Sequence, residues 1–435
     1  MARNVVAIEG KGPLRGDLTV PGDKSISHRA VMFGALAQSQ TRISNFLPGQ
    51  DCLSTISCFQ KLGVPIVQPS TTDVIVEGQG LMGLKEPSDL LDVGNSGTTM
   101  RLMAGILSGQ SFFSVMTGDS SIRRRPMGRV TEPLKAMGST ILGREGGKKA
   151  PLAIAGTQKP LLALTYQSPV ASAQVKSAIL LAGLYAEGST KVIEPHRSRD
   201  HSERMLKAFG AKISQSEEGL NSEIEGFPSL IGQEIDVPGD ISSAAFLLVA
   251  ASVIPGSELY IRNVGINPTR DGVIEVLRAM GGKIKVENER VVAGEPVADI
   301  LVQASTLHGT TIEGEVIPRL IDEIPILAVA ALFAQGQTTI KDAEELRVKE
   351  SDRIAVLADQ LRMMGAKVKE LPDGMIIEGS QTLQGAEVES KGDHRIAMAL
   401  AVAGLLAEGV TEISDASAVE VSYPGFFSVL TDLQQ

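Results

Sequence analysis

One hydrophobic–polar pattern returns along the whole chain. A start rich in Gly, Ser, Asn or Asp opens a run of small apolar residues with almost no polar position in it. A glycine follows, then a strand-like run ending near Asn or Asp, then an amphipathic stretch ending in Gly-Ala or a similar pair, then another strand. A run apolar on nearly all faces predicts a buried helix, and one apolar stripe predicts a helix lying against a core. The first occurrence starts at Lys24, with a helix at 30–37, a strand at 41–46, a helix at 52–62 and a strand at 64–68. The second opens at Gly94-Asn95-Ser96-Gly97-Thr98, with helix 100–107, strand 112–117 and helix 129–137. The third opens at Ser172-Ala173-Gln174-Val175-Lys176, followed by strand 190–194 and helix 202–209. The fourth spans 240–256, strand 258–264 and helix 271–280. The fifth spans 322–336, strand 338–342 and helix 351–364. The sixth spans 393–409, strand 410–413 and helix 425–433. Most of the amphipathic helices stop at a glycine, which takes the left-handed conformation cheaply. The architecture predicted is α/β, with helices inside and sheets outside, in six units of roughly 70–80 residues, longer than the usual solenoid repeat.

Six units in 435 residues exceed a single core and predict two domains. The stretch Pro21-Gly22-Asp23 is echoed by Pro238-Gly239-Asp240. Cutting there gives one domain at 23–238 and another from 1–22 plus 239–435, three units each, joined by two crossings that would serve as a hinge. A cleft between two such domains is the expected place for a ligand.

Composition narrows the ligand. The chain is 43% hydrophobic, 21% charged and 3% aromatic, has no Trp and carries a net charge of −10. Those numbers argue against a nucleic-acid partner, which needs a basic face or stacking platforms. No apolar signal core and no run of about 18 apolar residues appears, so a cytoplasmic protein with no membrane partner is expected. Cys52 and Cys58 fall on one predicted helix as core thiols, and no His/Cys/Glu cluster has metal-ligand spacing, so neither metal nor cofactor is expected. Against the acidic background stand several basic clusters: Arg123-Arg124-Arg125-Pro126, Arg197-Ser198-Arg199-Asp200-His201 and Arg347-Val348-Lys349-Glu350-Ser351-Asp352-Arg353. Singly, such residues are ordinary solvated cations; gathered on one cleft they would hold a small ligand with several negative charges. Lys24, Ser25 and Arg29 in the first turns of a helix suit an anion for a second reason, the unpaired N–H groups and positive dipole end there. Asp322 reads either as a helix N-cap or as a general base, and Glu350 either balances Lys349 and Arg353 or acts as a general acid.

Other signals lead nowhere. Gly78-Gln79-Gly80-Leu81-Met82-Gly83 matches a dinucleotide fingerprint, but no helix opens after it, so it reads as a turn. The stretch 143–149 lacks P-loop spacing. Ser25 and His28 have no orienting acid to make them a nucleophile and base.

Taken together, PGDKSxSHR, GNSGTTxR, RRRPM, SAQVKSA, RSRDHSE, NPTRDG, DEIP, RVKESDR and GDHRxAM resemble, in order and over essentially the whole chain, the 5-enolpyruvylshikimate-3-phosphate synthase family. The resemblance implies a two-domain inside-out α/β barrel of six βαβαββ repeats, three per domain. It implies transfer of the enolpyruvyl group of phosphoenolpyruvate to the 5-hydroxyl of shikimate 3-phosphate by addition and elimination, without metal, on a pathway to aromatic amino acids. Carried over by residue, Lys24 touches both substrates. Ser25, Arg29, Ser172, Gln174, Arg199, Asp322 and Lys349 bind shikimate 3-phosphate. Gly97, Arg125, Arg353 and Arg395, with Gln174 in reach, bind phosphoenolpyruvate. Asp322 is implied as the base at the attacking hydroxyl and Glu350 as the proton donor to the methylene, helped by Lys24. A monomer is expected. The lysine that some members carry before the C-terminal [ST]-[FY]-P stretch is replaced by Ser417, and Lys391 is the last lysine. GDKS, SAQVK, RDHSE and NPTR are signatures of the class II branch and imply glyphosate tolerance, although Gly97 stands where some tolerant members have alanine.

Two alternatives remain. UDP-N-acetylglucosamine enolpyruvyl transferases share the fold, but usually carry a cysteine in the loop before Arg-Pro and a Lys-Asn start; here the loop is 120–126 without cysteine, and Ser25 follows Lys24. A non-catalytic repeat protein binding anionic metabolites would be expected to have lost its acids, whereas Asp322 and Glu350 are both in place.

Overall fold

The computed structural model describes residues 5–292 and 294–434. The chain divides into two compact units. One comprises Gly22–Val237 with Val291–Glu295; the other comprises the chain up to Pro21, Pro238–Arg290 and the chain from Pro296 on.

Each unit is built around three helices buried on nearly every face. In the first these are Lys24–Leu36, Gly97–Ser108 and Ala173–Gly183. In the second they are Ile241–Val253, Ile324–Phe333 and His394–Gly404. Their all-round Ala, Leu, Ile and Val content leaves no polar stripe for solvent, so the stable solution places them inside and covers them with sheets and amphipathic helices. Aromatic residues are few, and two buried pairs join inner helices to what covers them: Phe33 meets Phe209 edge-on at 5.9 Å, and Phe246 meets Phe426 at 5.8 Å.

The polar residue that opens each repeat is its helix cap. Asp23 accepts from the Ile26 N–H at 2.9 Å, Ser96 from Thr99 at 3.1 Å, Ser172 from Val175 at 3.5 Å, Asp240 from Ser242 at 2.9 Å and Asp393 from Arg395 at 2.9 Å. A cap of this kind is worth about 1 kcal/mol and fixes where the helix begins. The fifth repeat is the exception. Its helix starts after Glu323 with no side-chain cap and with Pro325 in the first turn, where a missing N–H costs nothing.

The sheets follow one rule: the first strand pairs parallel with the second, and the remaining pairings are antiparallel. In the first repeat the order is Glu234–Asp236, Gln40–Ser44, Val74–Glu77, Ile66–Val67. In the second it is Leu91–Asp92, Ser114–Thr117, Lys149–Ala155, Thr140–Gly143. In the third it is Thr165–Gln167, Ser189–Ile193, Asn221–Glu225, Ile213–Gln215. The fourth begins with Arg15–Thr19 beside Glu258–Gly265, and the fifth with Thr311–Ile312 beside Gln337–Ile340. The sixth takes Glu387–Glu389, Thr411–Ser414 and, in third place, Val5–Ile8 from the start of the chain. In the second, third, fifth and sixth repeats the parallel first strand precedes the repeat directly; the first repeat takes Glu234–Asp236 from after the third, and the fourth takes Arg15–Thr19 from near the start of the chain. The hydrophobic pattern shows that these strands exist but not that neighbours share them. The strand expected at 64–68 pairs only over Ile66–Val67, because Gly63 is left-handed (φ 83°) and Pro65 has no N–H for a ladder.

The echoed Pro-Gly-Asp turns hold their helices alike. At Gly22 a β-carbon would lie 1.9 Å from the Asn45 carbonyl oxygen, so only glycine fits. At the second turn the Asp240 N–H donates to the Pro21 carbonyl at 2.9 Å, which ties the two crossings together. Cys52 and Cys58 are buried thiols outside any disulfide, and burial pushes the Cys58 thiol up to about 12. Among the described residues no helix is long and apolar enough to cross a membrane.

Candidate active site

In the unit built on Gly22–Val237, the capped helix starts carry the candidate groups. Lys24 follows the Asp23 cap, and its Nζ lies 3.3 Å from Asp51 Oδ2 on the helix Gln50–Lys61. Ser25 is half-buried beside it. Arg29 is 3% exposed. Its Nε donates to Ser202 Oγ at 2.7 Å, its Nη1 to the Ser25 carbonyl at 2.9 Å and its Nη2 to Ser177 Oγ at 3.0 Å. A guanidinium has five N–H donors, so two remain. Burial pulls the Arg29 pKa down to about 10, with Glu203 and Asp23 offsetting part of that cost, and the group stays cationic at neutral pH.

Gly97 opens the second core helix. A β-carbon there would come within 2.9 Å of Nη1 of both Arg101 and Arg125, so the two guanidinium tips close over the backbone because nothing stands in their way. Arg125 Nη2 donates to Asn95 Oδ1 at 3.0 Å. Gln174, two residues past the Ser172 cap, donates from Nε2 to Thr98 Oγ1 at 3.0 Å and accepts from Arg101 through Oε1. The Ser172 N–H donates to Glu194 Oε1 at 2.8 Å. Arg199 is half-buried just before the helix His201–Ala208. A buried relay joins the Lys24 and Gly97 helix starts. His28 Nδ1 meets Thr55 Oγ1 at 2.7 Å, Thr55 meets Thr99 Oγ1 at 2.7 Å, and Thr99 donates to Ser96 Oγ at 2.7 Å. Burial, with Lys24 and Arg29 nearby, holds the His28 pKa well below its ordinary value. The imidazole is therefore neutral and its Nδ1 is engaged with Thr55, which leaves no Ser25–His28 pair.

In the other unit the candidate residues touch one another directly. Arg353, 1% exposed, opens the helix Arg353–Met363. Its Nε donates to Asp393 Oδ2 at 2.8 Å, its Nη1 to Asp322 Oδ1 at 3.2 Å and its Nη2 to Glu350 Oε2 at 2.5 Å. Burial alone would lower the pKa of this guanidinium; Asp393, Glu350 and Asp322 outweigh it and raise the value. Asp322 Oδ1 also lies 3.8 Å from Lys349 Nζ and 3.9 Å from Arg395 Nε, and the Asp322 carbonyl accepts from Arg395 Nη1 at 3.0 Å. The position before this helix is filled by Glu323, so Asp322 is not the N-cap that its sequence context allowed. Its carboxylate faces cations, and its side chain keeps 14% exposure. Ser417 is exposed in the turn Ala416–Val421.

Two carboxylates beside these candidate residues had no assigned role from sequence. Asp393 is fully buried and does three things: it accepts from Arg353, from Ser351 Oγ at 3.1 Å and from the backbone N–H of Arg395. It thereby orients one arginine and caps the helix that carries the other. An aspartate two residues before a candidate arginine at a helix start was the available signal. Asp51 gave none, because nothing in its spacing points to Lys24.

Lys349 supplies a pH test. Burial and, further down, Arg353 lower its pKa from the ordinary 10.5, against the pull of Asp322. As pH rises the lysine loses its proton earlier than a solvated one and can no longer hold an anion. If this lysine meets an anionic substrate, kcat/KM for that substrate should fall on the alkaline side below the usual lysine range. Lys349→Arg should flatten that limb; an unchanged limb in the arginine variant would assign it to another group.

A family model described as EPSP synthase (3-phosphoshikimate 1-carboxyvinyltransferase) matches residues 8–430. A protein named 3-phosphoshikimate 1-carboxyvinyltransferase from Pelotomaculum thermopropionicum is 61% identical over 96% of both chains. One of the same name from Brevibacillus brevis is 59% identical over 97% of this chain and 98% of the relative. A solved EPSP synthase structure from Acinetobacter baumannii superposes with a TM-score of 0.89 at 46% identity, covering 99% of this chain and 98% of that one.

Proposed function

The chain belongs to the EPSP synthase (3-phosphoshikimate 1-carboxyvinyltransferase) family, and on that premise we infer which side chains carry each step of its reaction. The enzyme transfers the enolpyruvyl group of phosphoenolpyruvate to the 5-hydroxyl of shikimate 3-phosphate and releases phosphate. The two substrates together bring two phosphates and two carboxylates, which accounts for dense local cations in a chain of net charge −10.

Asp322 takes the proton of the 5-hydroxyl as its oxygen attacks C2 of phosphoenolpyruvate. Glu350, helped by Lys24, gives a proton to the methylene carbon, which becomes a methyl, and a tetrahedral intermediate results. The methyl then returns a proton to the Glu350 carboxylate, its C–H pair becomes the new double bond, the C2–O bond breaks with its pair leaving on phosphate, and the enol ether forms. Shikimate 3-phosphate is held by Lys24, Ser25, Arg29, Ser172, Gln174 and Lys349, with Arg199 on its phosphate. Phosphoenolpyruvate is held by Lys24, Gly97, Arg125, Gln174, Arg353 and Arg395. The observation that carries this reading is the meeting of Asp322 and Glu350 on one buried guanidinium, 3.2 and 2.5 Å from its nitrogens, with Lys349 and Arg395 alongside. Two carboxylates placed in one cationic environment can divide base and acid work. The same reading takes the protein as a monomer acting in the cytoplasm on small molecules, and the net charge of −10 argues against a nucleic-acid partner.

Two variants test the assignment of groups to substrates. Gly97→Ala pushes aside the Arg101 and Arg125 tips, which are flexible, so the fold should survive. KM for phosphoenolpyruvate should rise about tenfold while that for shikimate 3-phosphate stays within about twofold. Lys24→Ala should raise both. Equal effects of Gly97→Ala on the two substrates, or an effect of Lys24→Ala on only one, would overturn the assignment.

A further inference from the structure

The helix Ala173–Gly183 carries one charged residue, Lys176, with Gln174 and Ser177 its only other polar side chains. Lys176 is 1% exposed, and each of its three N–H donors is engaged: Glu194 Oε2 at 2.9 Å, Glu203 Oε1 at 2.9 Å and the Ser198 carbonyl at 3.5 Å. Both carboxylates are buried as well. A bare charge cannot stand in such a place, and an ion cluster there is commonly no more stable than an apolar filling. What it can supply is geometry, and each partner of Lys176 leads to a group assigned above to shikimate 3-phosphate.

Glu194 carries the first two connections. Its Oε1 accepts the Ser172 N–H at 2.8 Å, and its Oε2 accepts Ser198 Oγ at 2.7 Å while pairing with Lys176. One carboxylate thus fixes the start of the Ser172–Gln174 helix and the loop that ends in Arg199. Glu203 carries the third. It sits on the helix His201–Ala208, where its Oε1 also accepts from Ser222 Oγ at 2.9 Å and from Gln215 Nε2 at 3.3 Å. The residue before it, Ser202, receives Arg29 Nε at 2.7 Å and meets Ser177 Oγ at 2.6 Å. Lys176 and Arg29 against Glu194 and Glu203 make two cations and two anions. The arginine held by the Ser202 and Ser177 hydroxyls is electrostatically part of the same cluster, since Glu203 is the strongest of the anions that favour its charge.

We propose that Lys176, with Glu194 and Glu203, is a positioning cluster for shikimate 3-phosphate: it holds Ser172, Arg199 and Arg29 at fixed mutual distances so that the phosphate and hydroxyls of one ligand meet all three. The proposal rests on the assignment of those three residues to that substrate. Of the phosphoenolpyruvate groups only Gln174, which is shared by both substrates and also held by Thr98, lies on a segment the cluster fixes; Gly97 and Arg125 lie beside Ser96 and Asn95, and Arg353 and Arg395 beside Asp393.

The test is a KM split in the full-length enzyme. Glu194→Gln keeps the size of the side chain and one carbonyl acceptor, so either the Ser172 N–H or the Lys176 and Ser198 side loses its partner. KM for shikimate 3-phosphate should rise about tenfold, with KM for phosphoenolpyruvate at saturating shikimate 3-phosphate unchanged within about twofold and the melting temperature nearly kept. Lys176→Met strands two buried carboxylates and is expected to destabilise the fold. The double variant Lys176→Met with Glu203→Gln removes one charge of each sign, leaves Glu194 with only the Ser172 N–H and Ser198 Oγ, and should show the same selective rise. Arg199→Ala serves as the direct-contact control. Should Glu194→Gln leave the shikimate 3-phosphate KM unchanged while Arg199→Ala raises it, the positioning role is wrong and the site assignment stands. Should neither variant move that KM, the assignment falls and the positioning role with it. A rise in both KM values in parallel with lost folded protein marks the cluster as purely structural and also overturns the proposal.

Discussion

Replacing Asp322 by alanine lowers kcat by roughly 10²–10⁴-fold, the range removed with a positioned general base, while binding of both substrates is kept or tightened. The direction of the binding effect follows from the charges. Asp322 Oδ1 lies 3.2 Å from Arg353, 3.8 Å from Lys349 and 3.9 Å from Arg395, so its removal leaves three cations with one carboxylate fewer to satisfy. Anionic substrates then meet a more positive site. The fold should tolerate the change, because the side chain is partly exposed and caps no helix. Steady-state kinetics with calorimetric titration of shikimate 3-phosphate checks it. Near-wild-type turnover would remove Asp322 from the base role; a loss of binding equal to the loss of rate would make it a substrate-binding group only.

Arg353→Met should be the most destabilising single change at the site. The guanidinium is 1% exposed and neutralises Asp393, Asp322 and Glu350 together. Removing one partner of a buried ionic group costs about 3–5 kcal/mol, because the others remain desolvated without a counter-charge. Urea unfolding should show that loss, and the residual folded enzyme should bind phosphoenolpyruvate poorly. Arg353→Lys should recover part of the stability and little of the affinity, since an ammonium cannot form three fixed, planar N–H contacts at once. Wild-type stability in Arg353→Met would mean that the three carboxylates do not depend on this cation.

The fold class was legible because it is written in hydrophobic periodicity. The runs at 244–251 and 326–332 have no polar position, and a helix without a polar face has to be inside. The Pro-Gly-Asp echo was legible as a repeated cap, and the structure shows Asp23 and Asp240 in that role. Strand sharing was not legible. Arg15–Thr19 lies far along the chain from Glu258–Gly265, and Glu234–Asp236 from Gln40–Ser44; alternation within a strand carries no information about which neighbour it pairs with. At the site, the cations stood out against an acidic chain, so Arg353, Arg395 and Lys349 were visible as a group, and the structure gathers them around Asp322. Their buried carboxylate supports were harder to read. Asp393 sat in a stretch whose arginine drew the attention. Glu194 and Glu203 look like two of many glutamates until the lysine between them in space is seen to be buried. Lys176 stood out in the sequence as part of the third repeat's polar start, but a single buried charge must have partners, and the sequence does not show which.

The most direct test of the account is turnover in deuterium oxide with unlabelled phosphoenolpyruvate and shikimate 3-phosphate, with the product methylene examined by mass spectrometry and NMR. Addition and elimination pass through a methyl group that takes one proton from solvent through the enzyme's acid and then loses one. Deuterium should therefore appear in the enol ether methylene, and phosphate should be released only when both substrates are present. Product formed at full rate with no deuterium in its methylene, or phosphate released from phosphoenolpyruvate alone, would contradict it.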